Sequence, residues 1–124
     1  ADGKHFTRAE WIAHNAADMT RAGVRDVGGI TPMMKIVHLA ESFGIQMESH
    51  GPDLANLHVL CAMSVPGEYH ERGLLHPFLD YDAPPPWLNT PIDPMDDEGF
   101  VHIPDGPGLG LDINFDYIRD NLVG

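Results

Sequence analysis

From Ala17 to Ser64 the chain passes twice from strand-like to helix-like patterning, and this alternation limits the fold more than any other feature. Ala17-Asp18-Met19-Thr20-Arg21-Ala22 reads as a short strand, and Gly23 to Gly29 as a loop. A helix is predicted from Thr31 to Phe43, with Thr31 as its cap and Pro32 in the first turn. Its apolar residues Met33, Ile36, Val37, Ala40 and Phe43 recur three and four positions apart and mark one buried face, and Gly44 ends it. Ile45 to Glu48 is the next strand, ending at His50; Gly51-Pro52 breaks the chain. A second helix, Asp53 to Ser64, turns Leu54, Leu57, His58, Leu60 and Cys61 inward. Strands alternating with helices imply a parallel sheet, and parallel strands need cover on both faces. Two or three short strands can neither close into a barrel nor be doubly wound, so the expected fold class is α/β and the chain is expected to be part of a larger α/β fold.

The flanks are less regular. Thr7 with Glu10 three residues later has the form of a capping box, and the helix it opens is expected to run to about Asn15, carrying Trp11, Ile12 and Ala16. Glu68-Tyr69-His70-Glu71 alternates as a third short strand. From Leu74 to Met95 the prolines Pro77, Pro84, Pro85, Pro86, Pro91 and Pro94 exclude regular structure. Phe100-Val101-His102-Ile103 reads as a strand, Pro104 to Gly110 as a turn, and Asn114 to Leu122 as a closing helix anchored by Phe115 and Ile118. The expected organisation is therefore a partial barrel segment over 1–76 and a Pro/Gly-rich C-terminal segment over 77–124.

Charge narrows the partners. Against 7 Lys and Arg the chain carries 19 Asp and Glu, a net charge of −12, which repels phosphate backbones and anionic lipid. Nucleic acid and membrane partners are not expected. Acidic chains are often disordered, but 43% hydrophobic content in periodic segments argues for folding. The single cysteine, Cys61, excludes an internal disulfide and is expected to be a buried small hydrophobe in a reducing cytoplasm. No apolar run approaches the roughly 20 residues that span a bilayer. Ala1-Asp2-Gly3-Lys4-His5 has neither the charged nor the apolar region of a signal peptide. It also lacks an initiating Met, so a processed or excised piece is expected.

Chemistry concentrates at Glu48-Ser49-His50-Gly51, because a strand that delivers a histidine to its C-terminal end, just before a helix, is how α/β barrels place catalytic groups. The surrounding motifs form an ordered set: Gly28-Gly29-Ile30-Thr31, Leu39-Ala40-Glu41-Ser42-Phe43-Gly44, Glu48-Ser49-His50-Gly51, Ala55-Asn56-Leu57-His58, Glu68-Tyr69-His70-Glu71 and Pro104-Asp105-Gly106-Pro107-Gly108-Leu109-Gly110. In this order they resemble the C-terminal portion of the mandelate racemase and muconate lactonizing enzyme group of the enolase superfamily, particularly its sugar-acid dehydratases. The resemblance implies a modified (β/α)7β, TIM-like barrel with an N-terminal capping domain. This chain would supply the last three strands with their helices, and the tail that returns to the capping domain. It further implies magnesium bound to a substrate carboxylate, a base that removes the proton α to it, and loss of the β-hydroxyl. His50 falls at the end of the seventh strand as general acid or base, and Glu71 at the end of the eighth, where an acidic residue hydrogen-bonds the substrate carboxylate. Arg21 and Glu48 are the candidate substrate-binding residues.

Two positions depart from that pattern. The aspartate that pairs with the histidine belongs five residues before the Gly-Gly pair, where this chain has Gly23. Asp26 is the candidate substitute, although three residues of extended chain span about 10 Å. A metal-binding Glu belongs where Lys4 stands. No metal ligand is assigned within this chain, and the remaining ligands are expected upstream. The expected partners are a small sugar acid and the upstream portion of the same protein or another copy of the chain, in a homo-oligomer. Two alternatives stay open: a non-catalytic truncated barrel module that self-associates, and an independent metal-binding protein using His50, His58, His70 and His76 with Glu68 and Glu71.

Overall fold

A computed structural model describes residues 5–65, 67, 69–73 and 82–123. Its elements are α1 (His5–Ala13), β1 (Met19–Ala22), α2 (Val24–Val27), α3 (Ile30–Ser42), β2 (Gln46–Ser49), α4 (Leu54–Cys61) and α5 (Phe115–Asp120). Backbone contacts divide the chain into two compact units, one of residues 1–51 and 55–71, the other of 52–54 and 72–124. The boundary expected at residues 76 and 77 lies outside the described residues.

In the first unit, β1 and β2 pair in parallel, with Met19 opposite Gln46 and Ala22 opposite Ser49. The crossover between them is α2 followed by α3. Burial alternates along both strands: Thr20, Ala22, Met47 and Ser49 are covered, while Met19, Arg21, Gln46 and Glu48 share the other, more open face. Met33, Ile36, Val37 and Ala40 of α3 form the core with Met47, Ile12, Leu57 and Val59, as the three-and-four spacing predicts. Phe43 departs from that spacing. It is the C-cap of α3 and 59% exposed, because Gly44 at φ +65 turns the chain away before another helical turn forms.

Several boundaries differ from the expected ones. Helix α1 already contains His5, so Thr7 lies inside its first turn and does not cap it. What fixes α1 is tertiary: Arg8 is buried, and its Nε and Nη2 donate to the Arg21 carbonyl at 3.1 and 2.5 Å. That carbonyl lies on the edge of β1 away from β2, so Arg8 satisfies an acceptor the ladder leaves open. The helix ends at Ala13. Asn15 adopts φ +50, and Ala16 N–H donates to Trp11 C=O while Asn15 N–H donates to Ile12 C=O, a Schellman closure. Trp11 is 46% exposed; the buried side of this helix belongs to Arg8 and Ile12. The Gly23–Gly29 loop contains the helical turn α2, whose Val24 and Val27 are buried. Helix α4 stops at Cys61, three residues short of Ser64. Cys61 is therefore exposed at its end, not buried within it.

The third expected strand is not present in the described residues. Glu68 lies outside them, and Tyr69 to Glu71 join no ladder. The chain still returns beside β2: a Cβ on Gly67 would stand 3.0 Å from the Met47 carbonyl. A strand needs a partner edge as well as an alternating pattern, and only the pattern is legible in a sequence.

The second unit is held by isolated antiparallel bridges, Leu88 with Ile113 and Met95 with Val101. The strand expected at Phe100–Ile103 shrinks to that single bridge, because the Asp96 carboxylate takes the amides of Glu98 and Phe100 that a ladder would use. Pro104 to Gly110 forms the expected turn, with Gly110 at φ +75 so close to Pro104 that a Cβ would stand 2.4 Å from the proline ring. Asn114 caps α5, its Oδ1 accepting from Tyr117 N–H at 3.0 Å. Phe115 and Ile118, expected to anchor this helix, are exposed.

Candidate active site

The C-terminal ends of β1 and β2 meet at Gly23 and His50. The His50 N–H donates to the Ala22 carbonyl at 2.8 Å, extending the parallel ladder by one residue beyond Ser49. By the strand period, the His50 side chain follows Gln46 and Glu48 onto the open face, and Arg21 lies opposite Glu48 on that same face. Gly51 then turns the chain at φ +97 into α4.

Asn56, in the first half of α4 and only 1% exposed, ties this end together. Its Oδ1 accepts from Val24 N–H at 2.8 Å, and its Nδ2 donates to the carbonyls of His50 and Gly51 at 2.7 and 3.0 Å. One amide thus joins the start of α2 to the turn after β2. In the sequence Asn56 stands out only as part of Ala55-Asn56-Leu57-His58. The available signal was a polar residue set among Leu54, Ala55, Leu57, Val59 and Leu60, where an unpaired amide is costly.

Glu71 closes the site. Its Oε2 accepts from Arg21 Nη2 at 2.5 Å, His50 Nδ1 at 2.8 Å and Gly51 N–H at 2.8 Å. Burial pushes its carboxyl upward, but the hydrogen bonds from Arg21, Gly51 and His50 outweigh that and bring it down to about 2 from 4.5. Glu71 is therefore anionic and acceptor-only at neutral pH. Beside it, the His50 side chain is 50% exposed.

The other candidates sit around this group. The Glu48 carboxylate accepts from Gln46 Nε2 at 2.9 Å. Asp26 lies in the first turn of α2, with its Oδ2 2.7 Å from where a Cβ on Gly23 would stand. The structure thus brings His50, Glu71 and Arg21 into direct contact; Glu48 neighbours Arg21 through the ladder, and Asp26 is folded over Gly23. Gly23 itself has φ −119, open to any residue, yet a Cβ there would also stand 2.5 Å from the His50 carbonyl. Space, not backbone conformation, requires glycine here.

Among the described residues no three His, Cys, Asp or Glu side chains converge as metal ligands, while Lys4, Glu68 and His76 lie outside them. Magnesium does not fit what the described residues present, since the Glu71 carboxylate is already committed to three donors. What the arrangement offers is an imidazole held by a carboxylate beside a guanidinium, a set suited to moving a proton next to an anionic substrate. No helix among the described residues is long and apolar enough to cross a membrane.

Comparisons with known proteins agree with this architecture. The solved structure of D-glucarate dehydratase from Agrobacterium tumefaciens complexed with magnesium superposes with a TM-score of 0.92 at 55% identity, covering 100% of this chain and 32% of that one. A D-galactonate dehydratase family member of Enterocloster bolteae is 31% identical over 116 residues, 90% of this chain and 28% of its own length. The D-gluconate dehydratase of Thermoproteus tenax is 30% identical over 110 residues, 85% of this chain and 21% of its own. The chain thus spans less than a third of each of these relatives. The family model described as enolase C-terminal domain-like matches residues 4–117. The chain belongs to this family, within the enolase superfamily whose sugar-acid dehydratases are its relatives.

Proposed function

We propose that this chain forms the histidine-bearing C-terminal part of the barrel of a sugar-acid dehydratase, with β1 and β2 as its sixth and seventh strands and the segment ending at Glu71 in the place of the eighth. The observation that carries the reading is His50 at the C-terminal end of a parallel strand, half exposed and hydrogen-bonded to Glu71. Its support is the 55% identity and the superposition of the whole chain on 32% of D-glucarate dehydratase.

In this reading the substrate is a small sugar acid. Dehydration removes the proton on the carbon α to the carboxylate and expels the β-hydroxyl with a proton, releasing water and leaving an enol that becomes a 2-keto acid. His50 moves one of those protons, taking it from the α-carbon or giving it to the departing oxygen. The open face bearing Arg21, Gln46 and Glu48 is the side the barrel encloses, and the rest of the site comes from the same polypeptide or another copy. Magnesium would be held by residues other than those described in this chain.

The test is turnover of a panel of sugar acids by the full protein and by its His50→Ala and His50→Gln forms. Loss of turnover by about 10²-fold or more is expected for both variants. Undiminished turnover in either would sink the role of His50.

A further inference from the structure

The pattern that this site resembles pairs its histidine with an aspartate at the end of the preceding strand. Here that position is Gly23, and the space for a side chain is already taken by the His50 carbonyl and the Asp26 carboxylate. We infer that Glu71 is the positioning carboxylate of His50, that Arg21 locks Glu71 in place, and that Nε2 is therefore the nitrogen His50 turns to its substrate. The inference rests on His50 being the proton-transfer group, but its geometry can be measured independently of turnover.

Three observations carry it. First, the contact is direct and lies on the Nδ1 side, at 2.8 Å. A carboxylate anion can only accept, so Nδ1 carries the hydrogen, and the neutral imidazole has its lone pair on Nε2. Second, Glu71 is itself held from two other directions: the guanidinium of Arg21, from the strand beside His50, and the backbone N–H of Gly51, the residue that follows it. A carboxylate gripped by three donors on one oxygen has little freedom to swing to another partner, which is what orienting an imidazole demands. Third, Asp26, the candidate substitute three residues beyond Gly23, is folded over Gly23, while the Nδ1 hydrogen bond goes to Glu71. This assignment gives Glu71 work that leaves it unsuited to grip a substrate carboxylate, while the half-exposed Arg21 keeps other N–H donors. An anion saturated by donors makes a poor partner for a second anion.

The experiment uses the full protein labelled with ¹⁵N-histidine, with His50→Gln to assign the His50 ring signals. The wild type is expected to show the Nδ1–H tautomer. Glu71→Ala should convert it to a mixture dominated by Nε2–H, and Asp26→Asn should leave it unchanged. Glu71→Gln keeps the shape but offers a neutral acceptor; it should fall between, and it serves if the alanine variant fails to fold. In turnover, Glu71→Gln should lower kcat ~10- to 100-fold with KM moved less than about threefold. An unchanged tautomer in both Glu71 variants overturns the inference. So does a tautomer that responds to Asp26→Asn, or a KM that rises while kcat holds. If His50→Gln turns over normally while the tautomer still follows Glu71, the positioning stands and the catalytic reading of His50 falls.

Discussion

Gly23 and Glu71 show how single atoms set the character of the site. Adding back the aspartate that the superfamily pattern places at residue 23 introduces a Cβ 2.5 Å from the His50 carbonyl and 2.7 Å from Asp26 Oδ2. The backbone at the junction of β1 and β2 has to move, at a cost of ~1–3 kcal/mol. We therefore expect Gly23→Asp to be less stable by that amount in urea denaturation and to gain no turnover, with Gly23→Ala isolating the effect of the Cβ alone. A Gly23→Asp protein as stable as wild type and faster would show that the junction opens freely. Glu71 makes a second prediction. Its carboxyl ionises at about 2 in the folded chain against an ordinary 4.5, so the unfolded chain binds its proton first as pH falls. The contribution is fully present above pH 4.5 and disappears as pH drops from 4.5 to 2. Allowing for solvent at a partly exposed group, it amounts to about 1–2 kcal/mol. Urea denaturation at pH 6 and pH 3 should show roughly half of that loss in the wild type and much less of it in Glu71→Gln. Of these residues His50, Glu71 and Arg21 are legible in the sequence by type and position. Their mutual contact is not, because 21 residues separate His50 from Glu71 and only the folded chain brings them to 2.8 Å.

At the scale of elements, the site depends on α4 as much as on the strands. Asn56 serves Val24 N–H and the carbonyls of His50 and Gly51 from within a helix that is otherwise apolar on most sides. Asn56→Ala would leave Val24 N–H buried without its acceptor, at ~1–3 kcal/mol. Asn56→Asp would keep the acceptor but lose both donated bonds and bring a carboxylate against two carbonyl oxygens, so it should cost more than alanine. Thermal denaturation of both variants checks the order; alanine as stable as wild type would mean that the clamp contributes nothing. The helix period of α3 was readable because side chains every three or four residues must share a face, whereas α4 buries Val59 and Asn56 and exposes Cys61, which was expected inward. The element ends were harder. Thr7 offered a cap that α1 does not use, since the buried contact of Arg8 with the Arg21 carbonyl sets where that helix lies. Tertiary contact outweighed a local signal worth about 1 kcal/mol.

At the scale of the whole molecule, the amino-acid sequence determined the α/β class, the parallel relation of β1 and β2, the buried face of α3 and the identity of the residues at the strand ends. These follow from periodicity and chain connectivity, which are local properties. The same sequence suggested a third strand over Glu68–Glu71 and an anchor at Phe115, yet among the described residues Tyr69 to Glu71 join no ladder and Phe115 is exposed. Pairing and burial depend on which surfaces meet, and a pattern of side chains does not specify its own partner. The tertiary structure alone decided that the Glu71 carboxylate, and not that of Asp26, hydrogen-bonds the His50 ring, that Gly23 has no room for a side chain, and that Asn56 ties the two strand ends together. The physical reason is the same in each case: a hydrogen bond across 20 or 30 residues of chain is set by a few tenths of an ångström of packing, and that distance is written nowhere along the sequence.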